Sequence, residues 1–354
     1  MKALITSGGH GTRLRPITHT QNKHLIPIAN KPILHYAIEA VVEAGISEIG
    51  ILVNADSDEV PKAIGNGDKW GVKITHIPQE APLGLAHVVK ISEPFIGSDP
   101  FVFYLGDNMV VGGIKRFVDA FKQNGSNCHL TLSEVKDPSR FGVPELDGDR
   151  IIGIEEKPAN PKSNFAVTGI YVYDSTIFEA VNNISPSARG ELEISDAHQY
   201  LLDKGYQISY SEITGWWKDT GKPYDLLEAN RLILENLPAR IDGDVDADSQ
   251  LAGKVIIEEG AKIVNSNIRG PVIIGKDCHI ENSYVGPFTS VYHNTKIKNS
   301  ELEFSLLMDN CRIIDVGVRI EGSILGSDVD VTLAKPKPRT HRLILGAQSY
   351  VEIV

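Results

Sequence analysis

The chain has 354 residues, with 35 Lys and Arg against 46 Asp and Glu and a formal charge of −11. Its length suits two domains, and its acidity argues against a nucleic-acid surface, which needs a basic patch. No apolar run approaches the roughly 20 residues of a membrane span. Neither nucleic acid nor membrane is therefore expected as a partner. Cys128, Cys278 and Cys311 lie far apart with no CxxC pair, so the expectation is small buried hydrophobes in a reducing cytoplasm. The N-terminus has no charged-then-apolar signal pattern and runs straight into a strand.

In chain order, "KALITS" reads as a strand and "KPILHYAIEAVVEAG" as an amphipathic helix ended by Gly45. "EIGILVNA" is a strand, "DEVPKAIGNG" a short helix and "VKITHIP" a strand. "LGLAHVVKISEPF" follows as a helix, and "PFVFYLGDN" as a strand. Strands alternating with helical patterns predict an α/β unit, a Rossmann-like, mostly parallel sheet with helices on both faces. Its ligand sites are expected at the carboxyl ends of strands. "ENLPARIDGDVDADSQLAG" reads as a linker.

From about Ala247 helical periodicity disappears. Apolar residues recur at steps of six with occasional fives: Ile257, Ile263, Ile268, Ile274, Ile280, Val285, Val291, Ile297, Leu302. This hexapeptide rhythm predicts a left-handed parallel β-helix, whose coils bury their apolar side chains only by stacking. The division expected is 1–238 for the α/β domain and 239–354 for the β-helix domain. "AKPKPRTHR" reads as a basic, proline-rich loop that leaves the coil, with "LILGAQSYVEIV" resuming it. Tail packing predicts a homo-oligomer.

The stretch "SGGHGTRLRPITHTQNKHLIPIANKP" follows the first strand at once. Gly8, Gly9 and Gly11 leave the backbone free to turn and to approach an anion closely. Arg13 and Lys23 add full positive charge, and the set suits a triphosphate. GxGxxG fails because Leu14 stands at its third glycine, and GxxxxGK[ST] has no match. The string "GGxGTRLxPxT…K…P…KP" resembles the N-terminal signature of the sugar-1-phosphate nucleotidylyltransferases. Within that family it looks most like the thymidylyl branch that carries a C-terminal β-helix. The resemblance covers roughly residues 1–235 through "LGDN", "RFGVPELD", "EEKPANPKSNFAVTGIYVYD", "PSARGELEISD" and "WWKDTG".

The resemblance implies a substrate pair, a nucleoside triphosphate (dTTP) and a sugar 1-phosphate (glucose 1-phosphate), and products of a nucleotide-sugar and pyrophosphate, with Mg²⁺ as cofactor. Such a reaction brings two phosphates together and needs positioning and charge compensation, not a protein nucleophile. Arg13 is expected to clamp the β/γ-phosphates and Lys23 to act near the α-phosphate, with Arg15 open to a simple salt-bridge role. The resemblance makes Asp107 in "LGDN" and Asp219 in "WWKDTG" the metal pair. Gln79 and Gly84 in "PQEAPLGLAH" are expected to read the base, Gln79 offering both donor and acceptor. Lys157 is expected on the sugar phosphate and Glu156 on sugar hydroxyls, with backbone contacts from Gly142 and Val167. Arg189, held by Glu193, is a further phosphate contact or an ion pair.

Three positions depart from the family pattern: Ser7 stands for alanine, Phe141 for tyrosine and His24 for glutamine. Use of UTP, a bifunctional enzyme with acetyl transfer in the tail, and a non-catalytic regulatory subunit are the competing readings. Intact Arg13, Lys23, Asp107, Lys157 and Asp219 argue against the last. An acetyl-transfer site needs a base, often His. His279, His293 and His341 are available, but each reads as a surface residue.

Overall fold

The computed structural model describes residues 1–9 and 11–333, and then 343, 346 and 348–352. The proline-rich loop and His341 lie outside the described residues; of the segment expected to resume the coil, the described residues 343, 346 and 348–352 form no strand. Two compact units result, and they do not follow chain order. One comprises residues 1–9 and 34–219; the other comprises 10–33 and 220–354.

The first unit is built on a nine-stranded sheet. Strands β1 (Lys2–Thr6), β2 (Glu48–Asn54), β3 (Lys73–Gln79) and β4 (Phe101–Leu105) run parallel in the order β4-β1-β2-β3. The inner strands β1, β2 and β4 are apolar on both faces, as a helix-covered sheet requires; Leu4, Ile5, Ile51, Phe101 and Phe103 are fully buried. The short pair β5 (Asn108–Val110) and β11 (Trp217–Asp219) forms its own ribbon. Around β4 the chain adds β6 (Cys128–Glu134), β7 (Gly142–Asp147), β8 (Arg150–Glu156), β9 (Phe165–Tyr173) and β10 (Ile208–Glu212). Of these, β9 runs antiparallel to β4.

Helices α1 (Ile33–Glu43) and α2 (Glu59–Ile64) follow the sequence pattern. The third predicted helix breaks into α3 (Leu85–Ile91) and α4 (Glu93–Ile96). Ser92 turns its hydroxyl back to the Val88 carbonyl at 2.8 Å, and Pro94 has no N–H to continue the ladder. Helices α5 (Lys115–Asn124), α6 (Ile177–Asn183) and α7 (Ile194–Asp203) complete this unit.

Two core histidines have no part in the chemistry proposed below. His198 is fully buried and bonds the Tyr173 hydroxyl at 2.7 Å; burial depresses its pKa to about 3. His129 lies between the Ser209 and Ser211 hydroxyls, with its pKa lowered by burial to about 4. Both stay neutral in the fold but gain a proton near pH 6.5 once unfolded. Stability is therefore complete above about pH 6.5 and falls as pH drops, by about 1.4 kcal/mol per pH unit for each proton taken up. A melting temperature that does not change between pH 6.5 and 4.5 would contradict this.

In the second unit the tail forms three parallel sheets of short strands, the stacked faces of a left-handed β-helix. Val255 pairs with Val272 and Val272 with Thr289, so one coil takes 17 residues, two six-residue sides and one of five. That accounts for the irregular step in the sequence. The nine apolar positions read from it, Ile257 through Leu302, all lie in the core at 0–1% exposure.

One corner is closed by stacked amides: Asn265 donates to Asn282 at 2.7 Å, and Asn299 donates to Asp315 at 2.6 Å. These corner residues adopt left-handed φ, which Asn tolerates best after Gly. The segment read as a linker is the first coil. Arg240–Ile241, Asp244–Val245 and Gln250–Ala252 pair in parallel with the strands of the next. Ile241 and Leu251 are exposed there, as in a terminal coil, which hides the rhythm.

Helix α8 (Pro223–Leu234) belongs to this unit and buries Leu234 against Ile256 and Ile273 of one sheet face. All three thiols are buried, and burial raises Cys278 to about 12 and Cys311 to about 11. That is the chemistry of inert core thiols.

Candidate active site

In the first unit, Gly8, Gln79 and Asp107 follow or end β1, β3 and β4, at the carboxyl edge of the parallel strands. A Cβ on Gly8 would come 3.0 Å from Gln79 Oε1, so the glycine turn and the expected base reader are neighbours. Ser7 is fully buried; its N–H and hydroxyl both reach the Leu52 carbonyl, which accounts for a hydroxyl being tolerated there. Gly84 has φ 101°, and a Cβ there would fall 2.4 Å from the Leu192 carbonyl oxygen. Backbone packing alone thus requires a glycine here, whatever its part in base reading.

Asp107 is 8% exposed and accepts from Asn108 Nδ2 at 3.0 Å. Across the two-stranded ribbon, Asn108 is the register partner of Asp219. The two carboxylates expected to hold metal therefore sit close together, one just before β5 and one on β11. Asn108 Oδ1 also accepts from Trp217 Nε1 at 2.7 Å and from the Gly169 N–H at 3.3 Å. Asn108 and Trp217 were not singled out from the sequence, yet they fix this ribbon. Their only local signal is position beside the two aspartates. Among the described residues no group of three or more His, Cys, Asp and Glu could hold a metal alone. A pair of carboxylates fits Mg²⁺, which takes one or two from protein and the rest from phosphate and water.

The residues expected at the sugar phosphate also converge. Gly142 pairs with Val167 across the sheet, and Phe141 packs edge-on to Trp217 at 5.5 Å. A Cβ on Gly142 would fall 2.5 Å from Ser195 Oγ, whose hydroxyl donates to Glu156 Oε2 at 2.7 Å. Lys157 Nζ lies 3.0 Å from Glu156 Oε1. Lys157 has left-handed φ 47° and donates its N–H to the Phe141 carbonyl, a constrained turn that aims the side chain. Arg189 Nη2 lies 2.7 Å from Glu193 Oε1 and 3.6 Å from Glu156 Oε1. Burial, then Glu193 and Glu156, raises the Asp196 carboxyl above its usual range. Ser195, which gave no signal in the sequence, touches two of the residues expected at the sugar phosphate, Glu156 and Gly142.

In the second unit, Gly11 has φ 59° and opens a short turn, Thr12–Leu14. Its carbonyl accepts from Thr18 Oγ1 at 2.7 Å, and a Cβ would press on Thr18 and on Lys23 Cβ at 2.9 and 3.1 Å. Arg13 is exposed, and its guanidinium lies over Gly221, where a Cβ would be 3.1 Å from Nη2. Lys23–Leu25 forms a second short turn, capped by Asn22 Oδ1 accepting from the His24 N–H. His24 is buried with its ring nitrogen 3.0 Å from the same oxygen. In the tail, His293 Nδ1 accepts from the Lys276 N–H, and His279 lies 3.4 Å from Glu281.

Within the first unit, Asp107 and Asp219 flank one two-stranded ribbon and Lys157 Nζ lies against Glu156, residue types that transfer of a phosphate-bearing group calls for. The chain belongs to the nucleotidyl transferase family, whose model matches residues 2–236. It is 50% identical over 355 residues to a glucose-1-phosphate thymidylyltransferase of Streptomyces antibioticus, covering 100% of this chain and 99% of that one. It is 41% identical to a low-salt glycan biosynthesis nucleotidyltransferase of Haloferax volcanii, over the whole of both chains. A crystal structure of a putative glucose-1-phosphate thymidylyltransferase from Bacillus anthracis, in complex with sucrose, matches with TM-score 0.62 and 40% identity. It covers 66% of this chain and 94% of that one.

Proposed function

We propose that this chain transfers a thymidylyl group from dTTP to glucose 1-phosphate, giving dTDP-glucose and pyrophosphate. Full-length likeness at 50% identity to an enzyme of that name carries the reading. A sugar-phosphate oxygen attacks the α-phosphorus of dTTP, the bond from that phosphorus to the bridging oxygen breaks, and pyrophosphate leaves with the electron pair.

Arg13 binds the leaving phosphates and Lys23 the α-phosphate; Gly8, Gly9 and Gly11 offer N–H groups. Gln79 and Gly84 read the base. Lys157 and Arg189 hold the sugar phosphate, Glu156 accepts from sugar hydroxyls, and Gly142 and Val167 line the sugar. Asp107 and Asp219 would hold Mg²⁺, which when bound neutralises phosphate charge and orients oxygens for in-line displacement. Residues 1–238 are assigned the reaction and 239–354 the β-helix.

The test is pyrophosphate release over a grid of nucleoside triphosphates and sugar 1-phosphates. dTTP with glucose 1-phosphate is expected to be the best pair. UTP follows, because a methyl-sized difference is worth about 1–3 kcal/mol. A strong preference for ATP, GTP or CTP sinks the assignment. Lys157→Ala is expected to raise the KM for glucose 1-phosphate and leave that for dTTP unchanged; an unchanged sugar-phosphate KM removes Lys157 from this site.

We further propose a cytoplasmic homo-oligomer assembled partly through the tail, with no acetyl transfer. Light scattering at the monomer mass of 38.7 kDa, or acetyl-CoA consumption with an amino-sugar phosphate, would contradict these two points respectively. Among the described residues no helix is long and apolar enough to cross a membrane.

A further inference from the structure

The loop that carries Arg13 and Lys23 shares a compact unit with the β-helix, not with the sheet it leaves. The link is a two-stranded hairpin, Pro27–Ile28 with Lys31–Pro32, that begins just after the Lys23 turn. The Ile26 N–H donates to the Lys23 carbonyl, and the Ile33 N–H to the Ile26 carbonyl, so the hairpin base is bonded to that turn. Its two tip residues, Ala29 and Asn30, both have positive φ, at 46° and 58°. A two-residue hairpin turn asks for that conformation, but an alanine adopts it only under strain that its surroundings must hold.

The surroundings are Asn230 and one coil of the tail. Asn230 sits within helix α8 and is fully buried. Its Oδ1 accepts from the Ala29 N–H at 2.8 Å and from the Ser290 hydroxyl at 2.7 Å, and its Nδ2 donates to the Phe288 carbonyl at 3.0 Å. Beside it, Asn30 Nδ2 donates to the Val291 carbonyl at 2.9 Å. Ala29, Leu234, Ile256 and Ile273 close the joint with apolar surface, where each of these hydrogen bonds is costly to lose. Asparagine is a middling helix former, so α8 gains nothing locally from it. The same helix begins two residues after Gly221, on which the Arg13 guanidinium rests.

We propose that Asn230 is a positioning residue for nucleotidyl transfer: with the coil around 288–291 it holds the hairpin that sets the placement of Arg13 and Lys23. The tail then takes part in catalysis through residues that lie beyond the family match at 2–236. The inference rests on the phosphate-clamping reading of Arg13 and Lys23 above.

The test compares Asn230→Ala, Asn30→Gly and Arg13→Ala in the full-length chain, with dTTP and glucose 1-phosphate varied in turn. Asn30→Gly keeps the turn conformation and removes one side-chain bond, so it tests the idea even where Asn230→Ala folds poorly. The expected result for Asn30→Gly is a rise of about fivefold in the KM for dTTP, the worth of one neutral hydrogen bond. A larger rise, with lower kcat, is expected for Asn230→Ala, and an unchanged KM for glucose 1-phosphate in both. Wild-type kinetics in both folded variants, beside an inactive Arg13→Ala, would overturn this inference alone. A parallel rise in both KM values would also overturn it, as the mark of general loosening. Wild-type turnover in Arg13→Ala would remove the loop reading and this inference with it.

Discussion

Replacing Arg13 with alanine is expected to lower turnover by about 10²- to 10³-fold, the usual cost of one lost contact to charge that develops in a transition state. The departing pyrophosphate gains negative charge as its bond to the α-phosphorus breaks. A guanidinium offers it fixed donors that need no reorganisation. The fold should not register the change. Arg13 is exposed and its guanidinium lies over Gly221, and exposed substitutions usually stay within about 0.5 kcal/mol. Circular dichroism and melting should therefore match the wild type while pyrophosphate release collapses. Wild-type turnover would remove Arg13 from the site.

Asp107→Ala is expected to cost a similar 10²- to 10³-fold in kcat, and to move the Mg²⁺ concentration for half-maximal rate upward. The carboxylate is 8% exposed and its Oδ1 accepts from Asn108 Nδ2, so the substitution also removes a hydrogen bond. Loss of that one bond is worth about 1 kcal/mol, and melting of the variant separates any structural loss from the kinetic effect. Asp219→Ala should shift the Mg²⁺ dependence in the same direction, since Asp219 stands opposite Asn108 on the neighbouring strand. An unchanged Mg²⁺ dependence in both variants would take the pair out of metal binding.

The residues legible in the sequence are those whose reason is local. Gly11 announces its turn, the Gly8 region follows a strand, and the middle coils of the tail repeat every 17 residues because each coil repeats the same burial problem. What escaped the sequence depends on partners far along the chain. Asn108 meets Trp217 across 109 positions, Ser195 meets Glu156 across 39, and Asn230 meets Ala29 across 201. Each would pass for an ordinary polar residue in its own segment. The first coil escaped for another reason: a terminal coil exposes apolar residues such as Ile241 and Leu251, so its rhythm is diluted by polar and turn residues. The grouping of 10–33 with the tail was equally invisible, because it rests on a hairpin tip bonded to Asn230 and Val291.

The central claim is that the protein positions two substrates for direct transfer and contributes no covalent intermediate. The stereochemical course at the α-phosphorus tests it most directly. The full-length enzyme is supplied with glucose 1-phosphate and one diastereomer of dTTP bearing sulfur on the α-phosphorus, and the configuration of the thio-substituted dTDP-glucose is read by phosphorus NMR. A single in-line displacement predicts inversion at phosphorus. Net retention would require two displacements through a nucleotidyl-enzyme and would contradict the account.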